Sequence, residues 1–315
     1  MERPLISVVI PTWNSAGYLP ATLDSVLGQT WPHVEIVIVD DGSTDDTESV
    51  LAPYRDRVLY VRQDNWGGPS RPRNTAISHA SGDYIAFFDS DDLMDPEKLA
   101  AAATVLQAHP EVDFTFTNFR EIDENDAVLT SDFLIPYTNF RQVTGFPDGP
   151  EVGFLSGRAA YTELLAANFV GTSSVVCRRG VFERVGPFDE TMLNADDVDM
   201  WRRVAYAGSG FAFINRVLHS YRKREGGVTT RGAARRLPAV VCSLRKQLDL
   251  DLAGSERRLV EKRLQKTLTA YGHGLCATGE FDKAERVFRE ALGRGISWNA
   301  CKGLVKVALR RRGTG

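Results

Sequence analysis

Short apolar runs that end in polar loops and lead into helical patterns recur along the first two thirds of this chain, and that alternation sets its fold class. Leu5-Ile6-Ser7-Val8-Val9-Ile10 is stopped by Pro11 and reads as a buried strand. Residues 17–28 then place Leu19, Leu23, Val26 and Leu27 on one helical face. A second strand over 34–39 ends in Asp40-Asp41-Gly42-Ser43-Thr44-Asp45, where Ser43 or Thr44 can cap the next helix. The unit repeats with a strand over 58–61, a Gly-rich loop, a helix over 71–80 and a strand over 84–88. Asp95-Pro96-Glu97 opens another helix, with Pro96 in its first turn, and a strand over 113–117 follows. This order predicts an α/β fold whose mixed, mainly parallel sheet carries helices on both faces. Ligands of such sheets bind beyond the carboxyl ends of the strands. The loops at 40–46, 63–71 and 89–92 each follow a strand, so they should gather at that edge.

Residues 119–170 carry less pattern. Asp123-Glu124-Asn125-Asp126 reads as a turn between strands and Phe146-Pro147-Asp148-Gly149-Pro150 as loop. Order returns with a strand over 173–177, a helix over 197–207 and strands near 211–222. From Ala233 onward every pattern is helical. The expected division is therefore a nucleotide-binding and catalytic domain over 1–222 and a helical extension over 223–315. Within the extension, Leu268, Gly272, Leu275, Gly279, Ala284, Phe288 and Ala291 have the spacing of one tetratricopeptide-like hairpin. A single such hairpin cannot bury its own apolar face, so it is expected to dock on something else.

The net charge of −3 hides an asymmetry: residues 1–215 carry 15 Lys/Arg against 32 Asp/Glu, and residues 216–315 carry 23 against 9. Basic residues at Arg222-Lys223-Arg224, Arg235-Arg236 and 302–312 are interleaved, in the last stretch, with Leu304, Val305, Val307 and Leu309. Such helices suit an anionic membrane surface or a lipid-linked acceptor; docking on an acidic domain is the competing use. No nucleic-acid partner is expected. No apolar run approaches the roughly 20 residues of a membrane-spanning helix. Met1-Glu2-Arg3-Pro4 opens directly into the first strand, without the basic flank and long apolar core of a secretory signal. A cytoplasmic protein, at most peripheral at the inner face of a membrane, is the expectation. Cys177, Cys242, Cys276 and Cys301 form no paired motif, which excludes a disulfide scaffold or zinc knuckle and suggests free thiols.

The chemistry concentrates in a few loops. Asp89-Ser90-Asp91-Asp92 ends an apolar strand, and carboxylates so close raise one another's pKa unless a cation sits among them. Mg2+ or Mn2+ on one or two carboxylates typically completes its shell with substrate phosphate oxygens. A solvated helix start explains Asp95 by itself, and Asp91 with Asp92 less well. Asp40-Asp41-Gly42-Ser43 sits beside Pro11-Thr12-Trp13-Asn14, bringing acceptors, donors and an aromatic ring together for a nucleoside. Gly67-Gly68-Pro69 and Arg71-Pro72-Arg73-Asn74 add a flexible loop and guanidinium forks for phosphate, with Arg73 at a helix start the stronger candidate.

Taken in order, Val8-Val9-Ile10-Pro11-Thr12-Trp13-Asn14, Val37-Ile38-Val39-Asp40-Asp41-Gly42-Ser43-Thr44-Asp45, Gly67-Gly68 with Arg73-Asn74, and Asp89-Ser90-Asp91-Asp92 resemble the family 2 glycosyltransferases of GT-A fold, over about residues 5–222. The resemblance implies an inverting, metal-dependent transferase that uses a nucleotide diphosphate sugar, a UDP-sugar above others, and a saccharide or lipid-linked acceptor. It assigns Pro11, Thr12, Asn14 and Asp41 to the nucleoside, Asp91 to ribose, Asp89 to the donor sugar and Asp92 to Mn2+ or Mg2+. Asp196-Asp197-Val198-Asp199-Met200-Trp201 matches the family's later motif, with Asp197 as general base. Met200, Trp201, Val204 and Ala207 would bury one stripe of that helix and leave Asp196 and Asp197 at its mouth. Many relatives place a His after a Tyr-Arg pair; in His219-Ser220-Tyr221-Arg222-Lys223-Arg224 that place is taken by Arg224, which can grip phosphate but not a cation. His219 is the substitute ligand nearest in sequence.

Two other functions use parts of the same pattern. A nucleotidyltransferase would need a Gly-rich basic loop after the first strand, yet no Lys or Arg stands between that strand and Arg55. A catalytically silent nucleotide-sugar-binding or scaffold protein would not need Asp92 and Asp197, but Arg224 is compatible with it.

Overall fold

The computed structural model describes residues 3–146, 148–224 and 232–312, so Pro147 and the 225–231 opening of the expected extension lie outside the described residues. The apolar runs form one ten-stranded sheet. Its strands are β1 Ile6–Thr12, β2 Val34–Asp40, β3 Leu59–Arg62, β4 Tyr84–Phe87, β5 Leu93–Met94, β6 Val112–Ile122, β7 Val128–Thr130, β8 Val152–Leu155, β9 Val176–Arg178 and β10 Gly210–Arg222. The order is β3-β2-β1-β4-β9-β6-β10-β5, with β7 beside β6 and β8 beside β10. β3, β2, β1 and β4 pair in parallel, as do β6 and β10. β9 runs antiparallel between β4 and β6 and so keeps those two pointing the same way. The sheet is mixed and mainly parallel.

Both faces are buried, which is why the strands read as continuous apolar runs. Ile6, Val8, Ile10, Ile36, Ile38, Ala86 and Phe88 pack under the helices Leu19–Leu27 and Lys98–Ala108. On the opposite face Phe87 meets Trp201 and Phe188 edge-on, at 5.5 Å in each case, and Phe114 meets Trp201 at 4.9 Å. Trp201 belongs to the helix Asp196–Tyr206. Met200 and Val204 of that helix are buried as expected; it stops one residue before Ala207, which is exposed, and Ala205 takes its place inside.

The helix after the Asp40–Asp45 loop is Thr47–Val50, preceded by Asp46 and not by Ser43 or Thr44, and Lys98–Ala108 starts after Pro96. Three longer segments also differ from the sequence expectation. The strand foreseen over 173–177 begins as a 3-10 turn, Thr172–Ser174, and only Val176–Arg178 pairs. The strands near 211–222 are one thirteen-residue strand whose register shifts three times against β6, at Gly210/Phe211, Ile214/Val217 and Val217/Ser220. Bulges of that kind re-aim the end of a strand. The 119–170 region holds the predicted turn, between β6 and β7, together with two helices that pattern did not reveal, Thr138–Thr144 and Gly157–Ala166. The second of these starts where Ser156 Oγ accepts the Ala159 N–H.

Contacts divide the chain into compact units, Met1–Arg224 and Glu225–Gly315. The second comprises the helices Ala233–Leu248, Gly254–Ala277, Phe281–Gly293 and Trp298–Arg312. Leu268, Leu275, Ala284, Phe288 and Ala291 do form a hairpin core, and Gly272 lets the Phe288 ring approach so closely that a Cβ there would meet it at 2.6 Å. The hairpin need not dock elsewhere to cover that face. Val241 and Leu244 from the preceding helix and Ala300 and Val307 from the following one complete the same cluster. All four cysteines are free, Cys177 and Cys276 being buried. Among the described residues no helix is long and apolar enough to cross a membrane.

Candidate active site

Because β1 to β4 run parallel, their carboxyl ends share one edge, and hydrogen bonds stitch the loops that leave it. β1 ends at Thr12; Asn14 then adopts a left-handed φ of 49°, a conformation Asn tolerates better than most residues. Its N–H donates to Ser43 Oγ at 2.9 Å and its Oδ1 accepts the Thr44 N–H at 2.8 Å. Ser15 Oγ lies 2.8 Å from Ser90 Oγ, joining the first loop to the acidic one. Asp40 is a scaffold: it accepts the Ser43 N–H, the Tyr60 hydroxyl and an Arg62 guanidinium N–H. Burial and that carboxylate push the Tyr60 hydroxyl up to about 12. Asp41 accepts from Gln63 Nε2 at 2.7 Å and from the Trp66 and Gly67 N–H groups at 3.0 and 3.3 Å. That uses three of a carboxylate's roughly four acceptor positions. Gly42 is left-handed at φ 72° and presses on Asn65, whose nitrogen would stand 2.8 Å from an added Cβ. Pro11, Thr12, Asn14 and Asp41 thus stand together.

In the acidic loop the three carboxylates have different surroundings. Asp89, 29% exposed, binds Arg73 at 3.0 Å, and its N–H donates to Ser173 Oγ. Asp91, 14% exposed, binds Arg224 Nε at 2.6 Å. Asp92 is fully enclosed: Oδ1 accepts the Arg222 N–H at 2.9 Å, and Oδ2 is buried without a hydrogen bond. Burial, then the Asp89 charge, raises Asp91 to about 6 against the pull of Arg224. Asp92 is raised well above the usual range by burial and by the Asp91 and Asp89 charges.

That pattern bears on the metal. Among the described residues no three His, Cys, Asp or Glu side chains are grouped to hold one. A hard divalent cation needs only one or two protein carboxylates when phosphates supply the rest. Mutually repelling carboxylates, one with an orphaned oxygen, match that demand. Asp92, expected at the metal, is the enclosed member; Asp91 and Asp89 are the more exposed ones. His219, the substitute ligand nearest in sequence, is buried and packed at 4.7 Å against Phe119 and edge-on to Phe88.

The helix carrying the candidate base begins after Ala195, left-handed at φ 54°. Asp197 Oδ1 accepts the Val198 N–H at 2.7 Å and Oδ2 accepts the Thr172 hydroxyl at 3.3 Å. Burial first, then the Asp196 charge, pushes its carboxyl up to about 6, with Arg73 pulling the other way. Arg73 is the hinge of the site. One guanidinium nitrogen binds Asp196 at 2.7 Å while another binds Asp89, so the donor loop and the base helix share a buried cation. Next to it Asn74 accepts the Phe188 N–H and donates to the Phe188 carbonyl, which clips the 187–195 segment in place. Arg224 and Arg222 both lie over the Tyr18 ring, at 5.3 and 5.1 Å, with Arg222 also donating to the Asp91 carbonyl.

The candidate donor, metal and base residues of the first unit are therefore at one sheet edge or tied to it. Sequence reasoning missed Asp196 as a partner of Arg73, Thr172 on Asp197, and Tyr18 beneath the arginines. The Gly171-Thr172-Ser173-Ser174 stretch was a faint signal for Thr172. Tyr18 had none.

Comparison with known proteins agrees with this geometry. Residues 7–163 match the family described as Glycosyl transferase family 2. An uncharacterised glycosyltransferase of Rickettsia typhi is 26% identical over 231 residues, 72% of this chain and 66% of that protein. Glycosyltransferase GlyG of Streptococcus pneumoniae is 28% identical over 232 residues, 71% of this chain and 72% of its own length. Poly(ribitol-phosphate) β-N-acetylglucosaminyltransferase TarS of Staphylococcus aureus is 34% identical over 161 residues, 50% of this chain but only 26% of TarS. The crystal structure of TarS 1–349 with UDP-GlcNAc superposes with a TM-score of 0.67 at 20% identity, covering 98% of this chain and 92% of that one. Mannosyltransferase PcManGT of Pyrobaculum calidifontis, solved with GDP-Man and Mn2+, superposes at 0.60 with 22% identity, covering 98% and 81%.

Proposed function

The chain belongs to the family 2 glycosyltransferases, with their GT-A fold, and from that premise we propose that it transfers a sugar from a nucleotide diphosphate donor to an acceptor hydroxyl with inversion. The observation that carries the reading is Arg73, whose salt bridges to Asp89 and Asp196 hold the donor loop beside the candidate base. UDP-sugar is the favoured donor, supported by the UDP-GlcNAc complex of TarS. The acceptor is a saccharide or lipid-linked hydroxyl.

Asp197 takes the proton of that hydroxyl while its oxygen attacks the anomeric carbon. The bond from that carbon to the diphosphate oxygen breaks on the opposite side, so a single displacement inverts the centre. Thr172 and the Val198 N–H hold the Asp197 carboxylate in place. Asp89 meets the donor sugar, and Arg224 grips phosphate at the side where relatives carry His. A Mg2+ or Mn2+ ion held by Asp92, whose Oδ2 lacks a hydrogen bond, would neutralise charge on the leaving diphosphate, with Asp91 toward the ribose. The other oxygen of Asp92 fixes the end of β10 through the Arg222 N–H and with it the position of Arg224.

A carboxyl raised to about 6 predicts the pH dependence. Only the ionised form accepts a proton, so kcat/KM is expected to fall as pH drops through about 6 and to level off above it. A profile flat across that range, with saturating metal, would remove Asp197 as the titrating base.

UDP-, GDP- and dTDP-sugars compared with Mn2+ by thermal shift and by transfer or hydrolysis test the function itself. The UDP-sugar is expected to raise Tm most; a ligand at ~100 times its Kd adds about 2.7 kcal/mol of apparent stability. Binding with no turnover by the wild type, on any acceptor tried, would favour the silent binder. No shift with any nucleotide would overturn the donor assignment.

A further inference from the structure

The helix Trp298–Arg312 is apolar on two opposite faces. One is covered within its own unit: Ala300 and Val307 are buried beside Phe288, and a Cβ on Gly303 would stand 2.3 Å from that ring. The other is uncovered. Trp298, Val305 and Leu309 fall on one stripe at helical spacing and are 72%, 58% and 64% exposed, with Ile296 just before the helix at 97%. Single exposed hydrophobics are ordinary on protein surfaces, whereas an aromatic and two aliphatics in line, with a third just before them, mark an interaction face. Lys302 lies one turn beyond Trp298, its ammonium 6.0 Å over the indole, and Lys306 and Arg310 continue exposed along the edge of the stripe.

We infer that this face binds the surface of an anionic lipid bilayer, with Ile296, Trp298, Val305 and Leu309 entering the headgroup–acyl boundary and Lys302, Lys306 and Arg310 meeting acidic headgroups. An indole has an apolar body and a polar N–H, which suits that boundary. Lysine stems cover apolar surface while their ammonium groups stay wet. A second copy of the chain would also cover the stripe, but a two-fold contact would press this basic edge against its own copy. Acidic headgroups complement both the apolar stripe and its charge. The inference rests on the C-terminal unit alone and does not depend on the transferase reading.

The full chain mixed with phosphatidylcholine vesicles, with and without phosphatidylglycerol, tests it by co-sedimentation and tryptophan emission. Binding with a blue shift is expected only with the anionic lipid, and it should weaken as salt rises. Lys302→Gln with Lys306→Gln is expected to weaken binding roughly 30-fold. Trp298→Ser with Leu309→Ser should abolish the blue shift while thermal melts stay unchanged, because both side chains are exposed. Equal binding to neutral vesicles, no vesicle binding, or unaltered binding by the variants would overturn the inference. So would a concentration-dependent dimer that Trp298→Ser dissolves in a chain that ignores vesicles.

Discussion

Asp197→Asn is expected to lower kcat by ~10²–10⁴-fold while leaving the protein folded and, at neutral pH, no less stable. The amide keeps the shape of the carboxylate: its oxygen can still accept the Val198 N–H, and its NH2, in the place of the second oxygen, can donate to the Thr172 hydroxyl oxygen. It cannot take a proton. Stability should move the other way because the native carboxyl is raised from 3.8 to about 6 by burial and by Asp196. Below the lower value both folded and unfolded chains hold the proton. Between the two the unfolded chain releases it first, so the charge counts increasingly against folding as pH rises, and fully so above about 6. The deficit is on the order of 1–3 kcal/mol and vanishes in acid. Asp197→Asn should therefore melt at or above the wild-type temperature at pH ~7.5 and no differently near pH ~3.5. A variant that keeps kcat would take the base role away from Asp197. One that melts far lower at neutral pH would make the residue a structural one.

Arg73→Met is expected to be the most damaging single change to the site, costing ~3–5 kcal/mol and abolishing transfer. The guanidinium is 5% exposed and binds Asp89 and Asp196, with Asp197 adding to the negative field around it. Removing the cation leaves Asp89 and Asp196 without their partner. Urea denaturation would measure the loss, and a second substitution separates this cause from a packing defect. Adding Asp196→Asn should recover part of it at neutral pH. A deficit that the second substitution leaves unchanged would mean that Arg73 acts through its aliphatic stem and its stacking on Phe188, not through its charge.

Much of the fold was legible because its signals are local. The strand–helix alternation predicts parallel β1 to β4, and parallel strands by themselves put Asn14, Asp41 and the 89–92 loop at one edge. The helix with Asp197 at its mouth was legible for the same reason, since its apolar stripe has the period of a helix. The strand foreseen over 173–177 hid a 3-10 turn and the antiparallel direction of β9, which no local period reports, and β10 read as broken because its bulges interrupt the alternation.

The sequence by itself thus determined the class of fold, the motif-bearing loops and the chemistry those loops can perform. Tertiary structure alone decided which partner each carboxylate meets. Asp89, Asp91 and Asp92 are neighbours in sequence and indistinguishable by composition, yet one meets Arg73, one meets Arg224 and one is sealed beneath the Arg222 N–H, 130 residues away. Asp196 likewise finds Arg73 across 123 residues. Periodicity reports which way a side chain faces within a turn or two. Burial and charge pairing depend on how distant strands come into register, and those two quantities set whether a carboxylate holds a cation, takes a proton or simply anchors the strand beside it.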